Sequence, residues 1–516
     1  MSVKKVTVLI LSLVMLLFSA CGNPEDVSSV TQSGNSLSGQ AEALKTLQLL
    51  YCENDTMNPY KTVSKVNGEI GLLIFDSLVK VDNNFKAVLS LAESVEIKQN
   101  ICTVSLKNAK FSDSSKVTSK DVFFSYELAL ESERYSYLFY NVKGLEIKDD
   151  STLIFTLKRH DPYFASLLTF PILKEGSDEL KNEDNVEISP IGSGKFVQAK
   201  DNSALLVPNK YYHGEATKIS SITLINAPDS ESMEHYVKIG ATNIYYTNLA
   251  DNAVIRMSGH KSSVNLNNLV YIGINNNYAP LKNDTMRFAL SAAIDRNELV
   301  RLAYYGEAKA ANGFFHPDWE ETAGYQSISA DSNPKIVIEN LEEIGYNKLD
   351  KDGFRTTKSG SKLSFNLLVN KDSSSKLDLA NEIASQLLEY GIRINIKAVS
   401  YEDYLTYLKE GNFQLYIGEV KVLPNMDISS LVLPGGSVAY GISEKVTVPD
   451  DSAADDSTVI DSTDYRVIFE GYFEGKNTIA DVSTSLLSSM PLIPIAYRNG
   501  LVFSSDKLEN PDALFQ

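Results

Sequence analysis

The 516-residue chain is poor in the side chains that most often carry chemistry: one tryptophan, three cysteines and five histidines. The histidines, His160, His213, His235, His260 and His316, are widely separated and each lies beside turn formers or polar residues, so none has the spacing of a metal pair or of a base with a recognisable partner. There is no G-x-S-x-G elbow, no G-x-x-x-x-G-K-[ST] phosphate loop and no H-E-x-x-H zinc helix. Carboxylates are so abundant that no pair stands out for acid–base work. The sequence therefore offers no motif for catalysis, for a metal or for a cofactor.

Basic charge is also scarce. With 48 Lys and Arg against 66 Asp and Glu the net charge is −18, a field that repels nucleic acid and anionic lipid. Composition is otherwise that of a globular protein, 43% hydrophobic and 22% charged, and the length calls for two or three packed units.

Long apolar runs are absent except at the N-terminus. There Lys4 and Lys5 precede "VTVLILSLVMLLFSA", which is short of the ~20 residues of a membrane span and has the layout of a signal peptide over residues 1–20. "LFSAC" resembles the lipobox of bacterial lipoproteins, with Phe18 where leucine is usual; it makes Cys21 the lipidated N-terminus. The alternative is an ordinary secreted protein in which Cys21 is incidental. Residues 21–46, polar and rich in Ser and Gly at their start, then form a flexible tether. The body is exported and held at the outer face of the cell membrane, in the periplasmic space if the cell is Gram-negative. Cleavage removes two lysines and no acid, leaving a charge of −20. Cys52 and Cys102 remain, either as one disulfide or as two buried free thiols.

What is present is a mixture of strand and helix periodicities. "KTLQLLYC" reads as a first strand ending in the turn formers "ENDTMNPY"; "AESVEIKQ", "NICTVSLK" and "STLIFTLKR" alternate at hairpin-like intervals, and "TSKDVFFSYELALES" reads as a helix capped by Thr118 or Ser119. From "NLVYIGINNN" onward helices alternate with strands, as in α/β units on one sheet, which puts a domain boundary near 265–275. "MRFALSAAIDRNELV", Met286 to Val300, reads as one amphipathic helix with Asn283, Asp284 and Thr285 as capping candidates and Asp295-Arg296 in its middle. The acidic "DSAADDSTVIDSTD", 451–464, and "DKDG", 350–353, lack regular calcium-ligand spacing and read as a solvated insertion and a turn.

Several segments in order resemble the family 5 extracellular solute-binding proteins, the oligopeptide- and dipeptide-binding components of ABC importers. "TMNPY" is similar to the family's early turn, "IFDSLVKVDNNFKAVLSLAESVEI" to its "iYEgLvrydpdg…PgLAesWe" segment, and "AKFSDSSKVTSKDVFFSYELAL" to its "vkFhdGepltAeDVvfSle" signature. "SPIGSGKFVQ", "INNNYAPLKNDTMRFALSAAIDRNELV" and the terminal "MPLIPIAYRNGLV" extend the match from about Leu47 to Val502.

The resemblance implies an α/β, two-lobed fold of the periplasmic-binding-protein type (class II), with an extra α+β subdomain in the first lobe. The first lobe would comprise residues 47–269 plus 480–516, including a subdomain at 70–185, and the second lobe residues 270–479. It implies a monomer that is no enzyme and needs no cofactor, binding a peptide between hinged lobes and presenting it to the permease subunits of an ABC transporter. A sugar oligomer or metal chelate as cargo, or a surface sensor of peptide signals, are the alternatives. Arg287, Asp295 and Arg296 would be scaffold charges that pair and hold their helix to the sheet. Candidate ligand contacts are Glu53, Asn54, Thr56 and Met57 on the first lobe, and Glu419, Val420, Lys421, Asn425, Asp427, Gly436, Ser437 and Tyr440 on the second. Where the family reads "wgaDypDP", with an acid that can hold a peptide's α-ammonium, this chain has Val422 at the acid, Glu419 at the tryptophan and Asn425-Met426 at Asp-Pro, leaving Glu419 or Asp427 to substitute.

Overall fold

Residues alternate between burial and exposure along Ile101–Leu106 and Thr152–Leu157, and these two strands form the middle of an antiparallel sheet flanked by Ala92–Lys98 and Val142–Asp149. The helix Ser119–Glu131 covers its inner face. Thr118 and Asp121 start that helix through a reciprocal capping box, and Val122, Tyr126 and Ala129 turn inward, Tyr126 meeting the rings of Phe139 and Phe155 edge-on. This arrangement comes from a computed structural model, in which the described residues are 45–183, 185, 187–249, 257–444, 447–449, 458–506 and 508; the expectations for the signal peptide, for Cys21 and for most of the tether and the acidic insertion lie outside them.

A second sheet has the order Thr46–Tyr51, Ser221–Asn226, Asn202–Pro208, Phe196–Ala199, its first pair parallel. The third and largest sheet runs Ile244–Thr247, Leu492–Ser504, His260–Ile274, Leu415–Lys421, Ser364–Asn370, Arg393–Val399, with Ala308–Ala310 added against Leu492–Ser504. The 364–370 strand is parallel to both its neighbours. From Leu269 to Ile274 every residue is buried, because helices cover both faces of that part of the sheet. The expected α/β class is what the chain adopts. The stretch near 265–275, read as a boundary, falls in all but its last residue on the continuous 260–274 strand, and the terminal strand joins the largest sheet. Cys52 and Cys102 are free thiols, Cys102 buried and pushed up to about 12 by that burial and by Asp161. Among the described residues no helix is long and apolar enough to cross a membrane.

The helix expected over 286–300 is two. Asp284–Ala292 is capped by Asn283 Oδ1, and Arg296–Ala303 begins anew at Asp295, whose Oδ1 accepts from the Glu298 N–H at 2.8 Å. Asp295 and Arg296 therefore do not pair. Arg296, 1% exposed, donates to the carbonyls of Pro494 (2.8 Å), Ser291 (3.2 Å) and Ser329 (3.1 Å) and to Ser291 Oγ (2.8 Å), and burial lowers its guanidinium to about 9. It is scaffold, as expected, but through carbonyls rather than a carboxylate.

Candidate functional site

Two long strands set the geometry of the site. In the pairing of 260–274 with 492–504, Asn265 faces Asn499 and Leu269 faces Tyr497, so residues 266–268 bulge against Arg498 alone. A bulge re-aims side chains. Here Asn268 and Arg498 converge on Glu419 of the neighbouring 415–421 strand: Glu419 Oε1 accepts from Arg498 Nη1 at 2.8 Å and from Asn268 Nδ2 at 3.2 Å, and Oε2 lies 3.2 Å from Lys376 Nζ. Arg498 Nη2 donates to the carbonyls of Asn248 (3.0 Å) and Leu249 (2.7 Å). Burial alone would raise the Glu419 carboxyl, but Arg498 and Lys376 outweigh it and hold the group below its ordinary value.

The facing wall is the helix Lys65–Ile74. Lys65 Nζ sits 4.5 Å from the centre of the Tyr246 ring, and Tyr246 in turn feels the charges of Glu69 and Arg498. Burial lifts the Glu69 carboxyl to about 7 against the opposing pull of Lys65 and Arg134, and its Oε1 is closed to solvent without a hydrogen-bond partner. Arg134 Nη2 donates to the Ser64 carbonyl at 3.3 Å, and its guanidinium fills the space beside Gly68, where an added Cβ would stand 1.6 Å from Nη1. Three residues further on, the Tyr137 ring lies 5.7 Å from Lys421 Nζ, and Lys421 is two residues from Glu419 on the same strand. Contacts and short stretches of chain together close into a ring: the 65–74 helix, Arg134, along the chain to Tyr137, Lys421, along the strand to Glu419, Arg498, Tyr246, and back to the helix.

Of the residues read from the sequence, Glu419 and Lys421 lie on this ring. Val420 points to the opposite face and packs on the core. Glu53 is exposed at the end of the first strand and exchanges two 3.0 Å hydrogen bonds with Asn226. Asn54 is exposed, and Thr56 donates to Glu187 at 2.6 Å. Met57 is buried in the core of the four-stranded sheet and has no surface to offer a ligand. Val422, at the position of the family's acid, is buried as well, its N–H donating to the Asn267 carbonyl at 2.7 Å.

Asn425 and Asp427 belong to a separate contact with the antiparallel subdomain. Asp427 accepts from Tyr140 and Arg159, both at 2.5 Å, and Asn425 Nδ2 donates to Asp161 at 2.7 Å and to Tyr140 Oη at 3.0 Å. Gly436 packs against the Ser430 carbonyl and Ser437 is exposed. Tyr440 lies against Tyr416, whose side chain leaves the sheet on the face opposite Glu419. The sequence reading missed Lys65, Glu69, Arg134, Tyr137, Tyr246, Asn268, Lys376 and Arg498. Only Arg498 carried a signal, as a lone charge in the apolar terminal strand. Among the described residues no group of three or more His, Cys, Asp or Glu could hold a metal ion.

Comparison with known proteins identifies the family and the fold. Residues 86–431 match the profile of the bacterial extracellular solute-binding proteins, family 5 Middle. The oligopeptide-binding protein AppA of Bacillus subtilis (strain 168) is 25% identical over 443 residues, 80% of this chain and 79% of AppA. The structure of that protein in complex with a nonapeptide superposes with a TM-score of 0.52 at 20% identity, covering 90% of this chain and 95% of the other. A nickel ABC transporter from Bacillus halodurans superposes with a TM-score of 0.71 at 18% identity and the same two coverages. The structural likenesses share the two-lobed fold and no more than the fold; with the profile spanning more than half of the sequence, the chain belongs to the bacterial extracellular solute-binding proteins of family 5.

Proposed function

We propose that this chain is the substrate-binding lipoprotein of an ABC importer, a monomer anchored through Cys21 that captures peptides between two hinged lobes and hands them to the permease subunits. The observation that carries this reading is the ring. Its groups come from the 65–74 helix and the Arg134–Tyr137 segment on one side and from the largest sheet on the other. A solute touching both sides gains its full affinity only when they are together, which is the differential binding that couples capture to closure.

In this reading the first lobe is the four-stranded sheet with its antiparallel subdomain, within residues 47–269, and the second is built on residues 270–479. The strands 260–274 and 492–504 are the crossings, with the bulge at 266–268 as hinge. Cargo is the step that fold alone does not choose, since the neighbours include a nickel transporter as well as AppA. The greater sequence likeness to AppA supports a peptide, whose backbone can be satisfied strand-fashion with little demand on side-chain identity. Native mass spectrometry of the mature body, without residues 1–21, tests it. A ladder of short peptides in the cleft is the expected result; a single non-peptide mass keeps the fold and overturns the cargo.

A further inference from the structure

The charges of the ring do not balance. Lys65, Arg134, Lys376, Lys421 and Arg498 face two carboxyl groups, Glu69 and Glu419, in a chain whose overall charge is strongly negative. Glu419 is already occupied by Arg498, Lys376 and Asn268, so a ligand ammonium would have to displace two cations to reach it. Lys421 makes a ring contact with Tyr137 and, among the described residues, no ion pair. Asp427 is spent on Arg159 and Tyr140, and Asp55, the acid of the early turn, accepts from Thr62 Oγ1 and from the Val63 and Ser64 N–H groups.

A second observation points the same way. One buried hydroxyl at this site has no hydrogen-bond partner, Tyr304 Oη, which is close enough to feel both Glu419 and Arg498. A tyrosine hydroxyl held neutral by burial is a donor seeking an acceptor. Cations thus outnumber carboxyl groups across the two walls together, and buried Val422 leaves no carboxylate where the family pattern has one.

Resting on the peptide reading above, we infer that the cleft selects acidic peptides and does not require a free α-ammonium: carboxylate groups of the ligand would meet Lys421, with the Tyr304 hydroxyl as a further donor, while Glu419 holds Arg498 and Lys376 rather than binding the ligand. The local field would draw such ligands in against the negative charge of the rest of the surface, and salt would weaken the attraction.

The test is calorimetric titration of the mature body with Ala-Glu-Glu-Ala, Ala-Ala-Ala-Ala and Ala-Lys-Lys-Ala, each free and N-acetylated. The acidic peptide is expected to bind at least tenfold tighter than the lysine peptide, with N-acetylation changing its affinity less than threefold. Lys421→Gln should shrink the acid-over-base ratio at least threefold without moving the Tm of the unliganded protein. Equal or tighter binding of the lysine peptide, or loss of binding on acetylation, overturns the inference while leaving a peptide carrier. An unmoved ratio in the variant removes Lys421 from the selection. If none of the six peptides binds, the peptide reading itself falls and the inference falls with it.

Discussion

Glu69 is a carboxyl near neutrality set among cations and a phenol. Lys65 on its own helix, Arg134 from the subdomain and Tyr246 from the largest sheet all face it, and burial still wins, lifting it from 4.5 to about 7. Between those values the folded protein keeps a proton that the unfolded chain has released. Its stabilising contribution is thus complete below about pH 4.5 and is lost as pH rises to about 7. Glu69→Gln keeps the neutral form at every pH, so the fall in Tm between pH 5 and 7.5 should be smaller in the variant, read by calorimetry at each pH. Equal falls would mean that the carboxyl is hydrated in the native state. Nothing in "KVNGEIGLLI" marks this residue. Its helix is legible from the apolar spacing, but the displaced titration depends on burial that only the folded chain creates, and the Arg134 guanidinium, distant in sequence, pulls the other way.

Among the elements, the turn at Asp82–Lys86 does more than connect two short strands, Val79–Val81 and Ala87–Leu89. Asp82 Oδ1 accepts from the N–H groups of Asn84 and Lys86, and Phe85 is held at a φ of 63°, a left-handed conformation that a bulky side chain adopts only when its surroundings fix it. They do: the ring is buried in the core of the largest sheet, its centroid 4.5 Å from that of His316, which lies 4.8 Å from the Tyr497 ring. Burial takes His316 down to about 4, so it meets Phe85 as a neutral ring at physiological pH. Phe85→Ala should cost about 3 kcal/mol in denaturant unfolding, whereas Phe85→Gly, which relaxes the turn, should cost less than the alanine variant despite removing one more carbon. If glycine is worse than alanine, strain at this position is absent.

Most elements were legible from periodicity and capping residues; their junctions were less so. The 286–300 run conceals its break because Asp295 reads equally well as a charge on an exposed helix face and as an N-cap. The spacing Asp295 to Glu298, an acid three residues on, was the available clue. For the candidate site, order along the chain named Glu419 and Lys421, which lie on the ring, together with Asn425, Asp427 and Tyr440, which the fold sends to two other places. A strand alternates its faces and a loop does not keep to one wall, so adjacency in sequence overestimates adjacency in space.

At the scale of the molecule, Asp427 joins the antiparallel subdomain to the 421–429 loop through the ion pair with Arg159, beside the hydrogen bonds of Asn425 to Asp161 and Tyr140. Arg159, which it holds, is also seated 3.6 Å from the centre of the Phe473 ring. Asp427→Asn keeps the shape and removes the charge, leaving Arg159 only partly compensated. Because Arg159 is about a third exposed and the pair is partly screened, a loss of about 1–2 kcal/mol is expected; it would favour the open arrangement and weaken peptide binding by about tenfold, chiefly through faster dissociation. Small-angle scattering should show a larger radius of gyration for the unliganded variant; unchanged scattering together with unchanged affinity would make the contact a passive one.

The two long strands impose a restriction of another kind. Between Asn265 and Leu269 three residues face one, and a second shift follows between Val270 and Tyr271, where the partner strand passes from Ala496 to Pro494, so the register of the two strands is set by both irregularities together. One residue gained or lost at 266–268 would transpose Leu269–Ile274, presenting Leu269 where Val270 now lies, and would carry Asn268 away from Glu419. A change of length at 266–268 is thus expected to disturb this crossing more than a substitution within it.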